Sequence, residues 1–214
     1  MNPVTPRHPG LAVGVEPLVA ILRGLRPEEA AAVGAALFDA GLRCLEVPLN
    51  RPQALRCIEI LVAMAPPDAL IGGGTMLSQL DVDGVIDAGG RLMVAPHCDP
   101  QVISHAAARG MFCAPGVATP SEAFAALRAG AHALKLFPAE QVGVRGLKAL
   151  GTVLPPGTPV WPVGGVGEAE MAEWVRAGAT GFGIGSQLFQ PGLDAAEVGR
   201  RGARMLRAWH AARA

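Results

Sequence analysis

Residues 18–41 read LVAILRGLRPEEAAAVGAALFDAG, and the reading of the whole chain starts there. The first six, 18–23, are apolar up to Arg23 and stop at Gly24, as a short strand buried on both faces does. Pro27, followed by Glu28 and Glu29, opens an alanine-rich run that closes at Gly41. Proline in the first turn, acids beside it and glycine just past the end are the marks of a helix. A strand followed by a helix is the unit. It recurs: apolar runs at 44–49, 70–73, 92–95, 111–114, 132–137, 159–163 and 181–184 each precede an amphipathic stretch. Those stretches predict helices over 52–64, 78–88, 100–108, 119–129, 145–150, 168–177 and 194–212.

Five tags, DAGLR, DAGGR, AARGM, RAGAH and RAGAT, fall where a helix ends and the next strand begins. A glycine at positive φ after each helix explains them. Eight strand–helix units of roughly 20 to 28 residues predict an α/β chain folded as a TIM (β/α)8 barrel. The expected layout is a single domain over residues 1–214, with 1–16 as an N-terminal lead-in. A doubly wound open sheet is the alternative, but it does not need eight units, and no GxGxxG follows the first strand.

Composition narrows the function. Half of the 214 residues are hydrophobic, which allows a large core and excludes intrinsic disorder. The 18 basic and 18 acidic side chains cancel, so no basic footprint marks a nucleic-acid partner. No apolar stretch approaches the ~18 uninterrupted residues of a membrane span. Residues 1–10 contain Arg7 and His8 but lack the charged-then-apolar layout of a secretory signal, so a cytoplasmic protein is expected. Cys44, Cys57, Cys98 and Cys113 form no CxxC pair and read as small buried hydrophobes in a reducing compartment.

In a TIM barrel the chemistry lies at the C-terminal ends of the strands. The residues there are Arg23, Glu46, Asn50, Thr75, Pro96, Lys135, Phe137, Gly164, Gly165, Gly185 and Ser186. Two of them place a charge in an apolar strand. Lys135 is one of only two lysines, against 16 arginines, and sits inside ALKLFP. A buried lysine loses its proton more readily and becomes a nucleophilic amine near neutral pH, which an arginine cannot do. Glu46 interrupts CLEVPLN in the same way. Strands two and six are both even-numbered, so the two side chains can face each other across the barrel mouth, where a carboxylate serves as general acid and base. A structural ion pair remains the other reading. PVGGVG (162–167) and GIGS (183–186) end the seventh and eighth strands, the usual place for phosphate. The five histidines show no ligand spacing, and consecutive residues such as His97, Cys98 and Asp99 rarely converge on one ion, so no metal is expected.

With these positions in place, the chain resembles the class I 2-keto-3-deoxy-6-phosphogluconate/-galactonate aldolases. The likeness runs from about residue 19 to residue 190. It is carried by AILRG (20–24), LEVPLN (45–50), GGGT (72–75), APGVATPSEA (114–123), ALKLFP (133–138), PVGGV (162–166) and GIGS (183–186). The resemblance implies Lys135 as Schiff-base lysine, Glu46 as general acid/base, and Arg23 and Thr75 as substrate ligands near the pyruvyl end. It also implies Gly164, Gly165, Gly185 and Ser186 around a phosphate, with Val163 near C4.

Gluconate-type members carry Arg where this chain has Asn50, and usually Thr where it has Val163. Both departures look like the galactonate branch, in which a phosphorylated keto-deoxy sugar acid yields pyruvate and D-glyceraldehyde 3-phosphate. Met76 after GGGT and APH at 95–97 differ mildly from that branch. No cofactor is implied, and a homo-oligomer, a trimer, is. A phosphosugar isomerase or synthase and a non-catalytic sugar-phosphate-binding barrel are the rival readings.

Overall fold

The computed structural model describes residues 11 and 14–214; residues 1–10, on which the signal-peptide reading rests, lie outside them. Each expected unit supplies a strand and a helix. In chain order these are β1 (Leu18–Ile21), α1 (Pro27–Asp39), β2 (Cys44–Pro48), α2 (Ala54–Met64), β3 (Leu70–Gly74) and α3 (Gln79–Asp87). Next come β4 (Leu92–Val94), α4 (Pro100–Ala108), β5 (Phe112–Ala114), β6 (Gly116–Val117) and α5 (Pro120–Arg128). The chain closes with β7 (Leu134–Leu136), α6 (Ala139–Gly151), β8 (Val160–Pro162), α7 (Met171–Arg176), β9 (Phe182–Ile184) and α8 (Ala195–Arg213). The glycines of the five tags, Gly41, Gly89, Gly110, Gly130 and Gly178, all have φ between +77° and +110°.

The strands do not form the closed eight-stranded TIM barrel expected from the sequence. One six-stranded sheet has the order β5-β4-β3-β2-β1-β9, and a separate three-stranded sheet has the order β6-β7-β8. All pairings are parallel. The fifth expected strand, 111–114, is β5; past Pro115, which has no N–H to give to a ladder, the chain adds a further short strand, β6, so β5 pairs with β4 while β6 pairs with β7. On the far side β8 ends at Pro162, and a single isolated bridge, Val163 to Gly183, reaches toward β9.

Strand side chains alternate between two apolar environments. Leu18 and Ala20 pack into the large core beneath the helices, whereas Val19 joins Cys44, Leu92, Val94, Phe112, Ala114, Ala133 and Trp161 in a smaller inner cluster. The rings of Phe112 on β5 and Trp161 on β8 stack with centroids 5.5 Å apart. Apolar packing thus joins the two sheets where ladder hydrogen bonds are missing. Helix α8 packs on α1 and α7 and is tied to the lead-in, where the Glu16 carboxylate accepts from Trp209 Nε1 at 2.6 Å and pairs with His210 Nε2 at 3.0 Å.

Candidate active site

Glu46 and Lys135 are the only buried charged side chains among the described residues, 2% and 7% exposed. They belong to different sheets, Glu46 to β2 and Lys135 to β7, and Nζ lies 4.0 Å from Oε1. The pair therefore spans the gap between the sheets. Glu46 Oε2 has no hydrogen-bond partner among the described residues. Its carboxylate lies against the backbone of Gly74, where any Cβ would overlap Oε2, so glycine at the end of β3 is a condition for Glu46 to point inward. A cavity lined by Val19, Ile21, Val94, Ala114, Trp161 and Val163 holds the pair, and its apolar walls leave both charges poorly solvated.

Burial pushes Lys135 below the ordinary amine range, with Glu46 opposing and the positive Arg23 assisting. Burial pushes Glu46 above the ordinary carboxyl range, against the attraction of Lys135 and Arg23. The two shifts have one consequence: the neutral amine and the protonated acid are both favoured. A neutral amine can attack a carbonyl, and a neighbouring carboxyl can deliver and retrieve protons.

Beside this inner cavity opens a wider one of about 340 Å³, lined by Arg23, Phe137, Gly164, Gly165, Gly185 and Ser186 among others. The sequence-predicted glycine loops thus meet in one wall, together with Arg23. Gly164 and Gly165 have φ of +106° and +66°, a backbone course that glycine adopts without strain. No helix begins in either loop, since α7 starts at Met171 and α8 at Ala195. Ile21, Val163 and Gly183 line both cavities and stand between them. A Cβ at Gly183 would approach Val163 Cγ2 to 2.7 Å, so this glycine makes room for Val163.

Thr75 follows Gly74 and has φ +54°, an unusual conformation for a β-branched residue. It lines neither cavity. Ile21, Gly74, Trp161 and Gly183 are site residues that sequence reasoning missed; the GIGS glycine at 183 and an aromatic within the 159–163 run were the available signals. His97, Cys98 and Asp99 do not converge: Asp99 caps α4 by accepting from the Gln101 and Val102 amides, and the Cys98 thiol donates to the Glu122 carbonyl. No cluster of three His, Cys, Asp or Glu side chains among the described residues is arranged to hold a metal ion.

This geometry has relatives. Residues 12–200 match the aldolase family described as KDPG and KHG aldolase. A probable 2-dehydro-3-deoxy-6-phosphogalactonate aldolase of Rhizobium meliloti is 48% identical over 91% of this chain and 92% of its own. The 2-dehydro-3-deoxy-6-phosphogalactonate aldolase of Escherichia coli is 42% identical over 92% of this chain and 96% of its own. The solved native KDPGal structure superposes with a TM-score of 0.89 at 42% identity, over 92% of this chain and 95% of that one. A buried lysine–glutamate pair beside glycine loops, in a chain with these relatives, leads to one conclusion: the protein belongs to the KDPG and KHG aldolase family.

Proposed function

We propose that this aldolase cleaves 2-dehydro-3-deoxy-6-phosphogalactonate to pyruvate and D-glyceraldehyde 3-phosphate through an iminium on Lys135. One observation carries the mechanism: the two buried charged side chains lie 4.0 Å apart in an apolar pocket that favours their neutral forms. The Lys135 amine attacks the C2 carbonyl, the protonated Glu46 gives its proton to the departing hydroxyl, and loss of water leaves the iminium opposite an ionised Glu46. Glu46, ionised for this step, takes the proton of the C4 hydroxyl. The C3–C4 bond breaks, its electron pair moves into the iminium to give an enamine, and the aldehyde departs. Glu46 returns its proton to the former C3, and water then releases pyruvate and the free amine while Glu46 takes up the proton set free.

The names of the two relatives support the galactonate substrate. Val163 supports it too, because its apolar side chain lines both cavities and offers no hydrogen bond to a C4 hydroxyl. The glycine loops with Ser186 would receive the phosphate, and Arg23, with Thr75 next to Gly74, the pyruvyl end. The resemblance further supports a homotrimer, and the four free thiols suit a reducing cytoplasm. Pyruvate release from the galactonate and gluconate C4 epimers, assayed side by side, tests the reading. Faster release from the galactonate epimer is expected. A preference above tenfold for the gluconate epimer rejects the substrate, and no pyruvate from either rejects the reaction.

A further inference from the structure

Lys135 lies in β7 and Phe137 follows its end, so the alternation of an extended chain sends both side chains to one face. The Phe137 amide donates to the Val117 carbonyl of β6 at 3.1 Å, and the Ala139 amide to the Val163 carbonyl at 2.9 Å. The backbone on either side of the ring is thus anchored to its neighbours. Lys135 Nζ lies over the face of that ring, 5.1 Å from its centroid. Among the described residues no other aromatic ring meets Nζ in this way, although Trp161 lines the same cavity. Phe137 is half-buried and also lines the outer cavity, so one ring meets both the amine and the wall along which substrate enters.

An aromatic face is electron-rich and attracts a cation within about 6 Å, yet does little for a neutral amine. Burial favours the neutral Lys135 amine before substrate arrives. Condensation reverses its charge: the nitrogen lone pair forms the bond to C2, water leaves with the Glu46 proton, and the iminium nitrogen becomes positive. Two charged groups act on that nitrogen, Glu46, which attracts a cation there from 4.0 Å, and Arg23, which repels it. A ring opposes the repulsion without a charge of its own. A second carboxylate in its place would hold the free amine protonated and unreactive.

We propose that Phe137 is a further catalytic residue, whose ring face stabilises the positive iminium nitrogen on Lys135 in preference to the neutral amine. The proposal deepens the aldolase reading and rests on it for the iminium. The test replaces Phe137 with mono-, di- and trifluorinated phenylalanine, which drain the ring face stepwise at nearly constant size, and with leucine in Phe137→Leu. The readout is the pyruvate concentration that half-saturates borohydride trapping on Lys135, at mildly alkaline pH where the free amine is neutral. It should rise with each added fluorine, by about two- to thirtyfold across the series, the span of cation–π contacts from exposed to desolvated. Phe137→Leu should lie at or beyond the trifluorinated end. The same analogues at Phe38, buried on α1, should leave half-saturation unchanged. The proposal is overturned by a series without that order, by a total rise below about twofold, by Phe137→Leu matching the parent, or by an equal rise from Phe38. A parent labelled on Lys135 with a half-saturation indifferent to fluorine removes Phe137 and leaves the aldolase reading standing. A parent that takes no label overturns both.

Discussion

Glu46, as the proposed general acid and base, should bear on both rate and stability. Replacing it with Gln keeps the shape and removes the proton shuttle, so cleavage should fall by about 10²–10⁴-fold, the usual contribution of general acid–base catalysis. A loss under tenfold in the pyruvate assay would leave Glu46 a structural role only. Its titration can be followed in the fold itself. Burial raises Glu46 above its ordinary value of 4.5, so above that pH the unfolded chain has released a proton the folded protein still holds. Its contribution to stability is therefore complete below pH 4.5 and is lost as pH rises through the folded-state value. Urea midpoints measured against pH should fall less steeply across this window in Glu46→Gln than in the parent, and equal slopes would contradict the shift. Val163→Thr should move the ratio of kcat/KM toward the gluconate epimer, within the roughly 1–3 kcal/mol that an apolar contact discriminates. Lys135 and Glu46 were legible in the sequence because each puts a charge in an apolar strand. Ile21, Gly74 and Gly183 were not. An ordinary core isoleucine and two glycines gain their roles only when β1, β3 and β9 are brought beside β2 and β8.

Among the elements, the hydrophobic periodicity located all eight expected strands and eight helices to within a few residues, apart from α6. Helix α4 spans 100–108 as read. Helix α6 was expected over 145–150 and runs Ala139–Gly151, with Gly143 at φ +70° breaking it inside. Its first turn is too short to show periodicity, and the glycine disguised its continuation. Strand β6 was equally hidden, because Gly116–Val117 is too short for a pattern and follows Pro115, where the apolar run at 111–114 had ended. Helix caps away from the site should affect stability alone. Thr119 Oγ1 accepts from the Glu122 amide at 3.3 Å, and the Glu122 carboxylate accepts from the Ala118 and Thr119 amides at 3.0 and 2.9 Å. Thr119→Ala should cost about 0.5–2 kcal/mol of unfolding free energy in urea titration. Its kcat should match the parent's, and a large change in turnover would show that α5 reaches the site.

At the scale of the whole molecule, the two sheets meet through the Phe112–Trp161 stack and the Val163–Gly183 bridge, and the buried Glu46–Lys135 pair occupies the same junction. The reaction as proposed draws its electron sink from Lys135, so activity should persist in excess EDTA; loss that a divalent ion restores would require a different electrophile. The central claim is that Lys135 forms a covalent iminium with pyruvate. Borohydride added with pyruvate, followed by peptide mass mapping, tests it most directly. The account predicts one stable pyruvate-derived mass on the peptide containing Lys135, absent in Lys135→Ala and unchanged in Lys148→Ala. Label on Lys148, or pyruvate release that survives in Lys135→Ala, would contradict it.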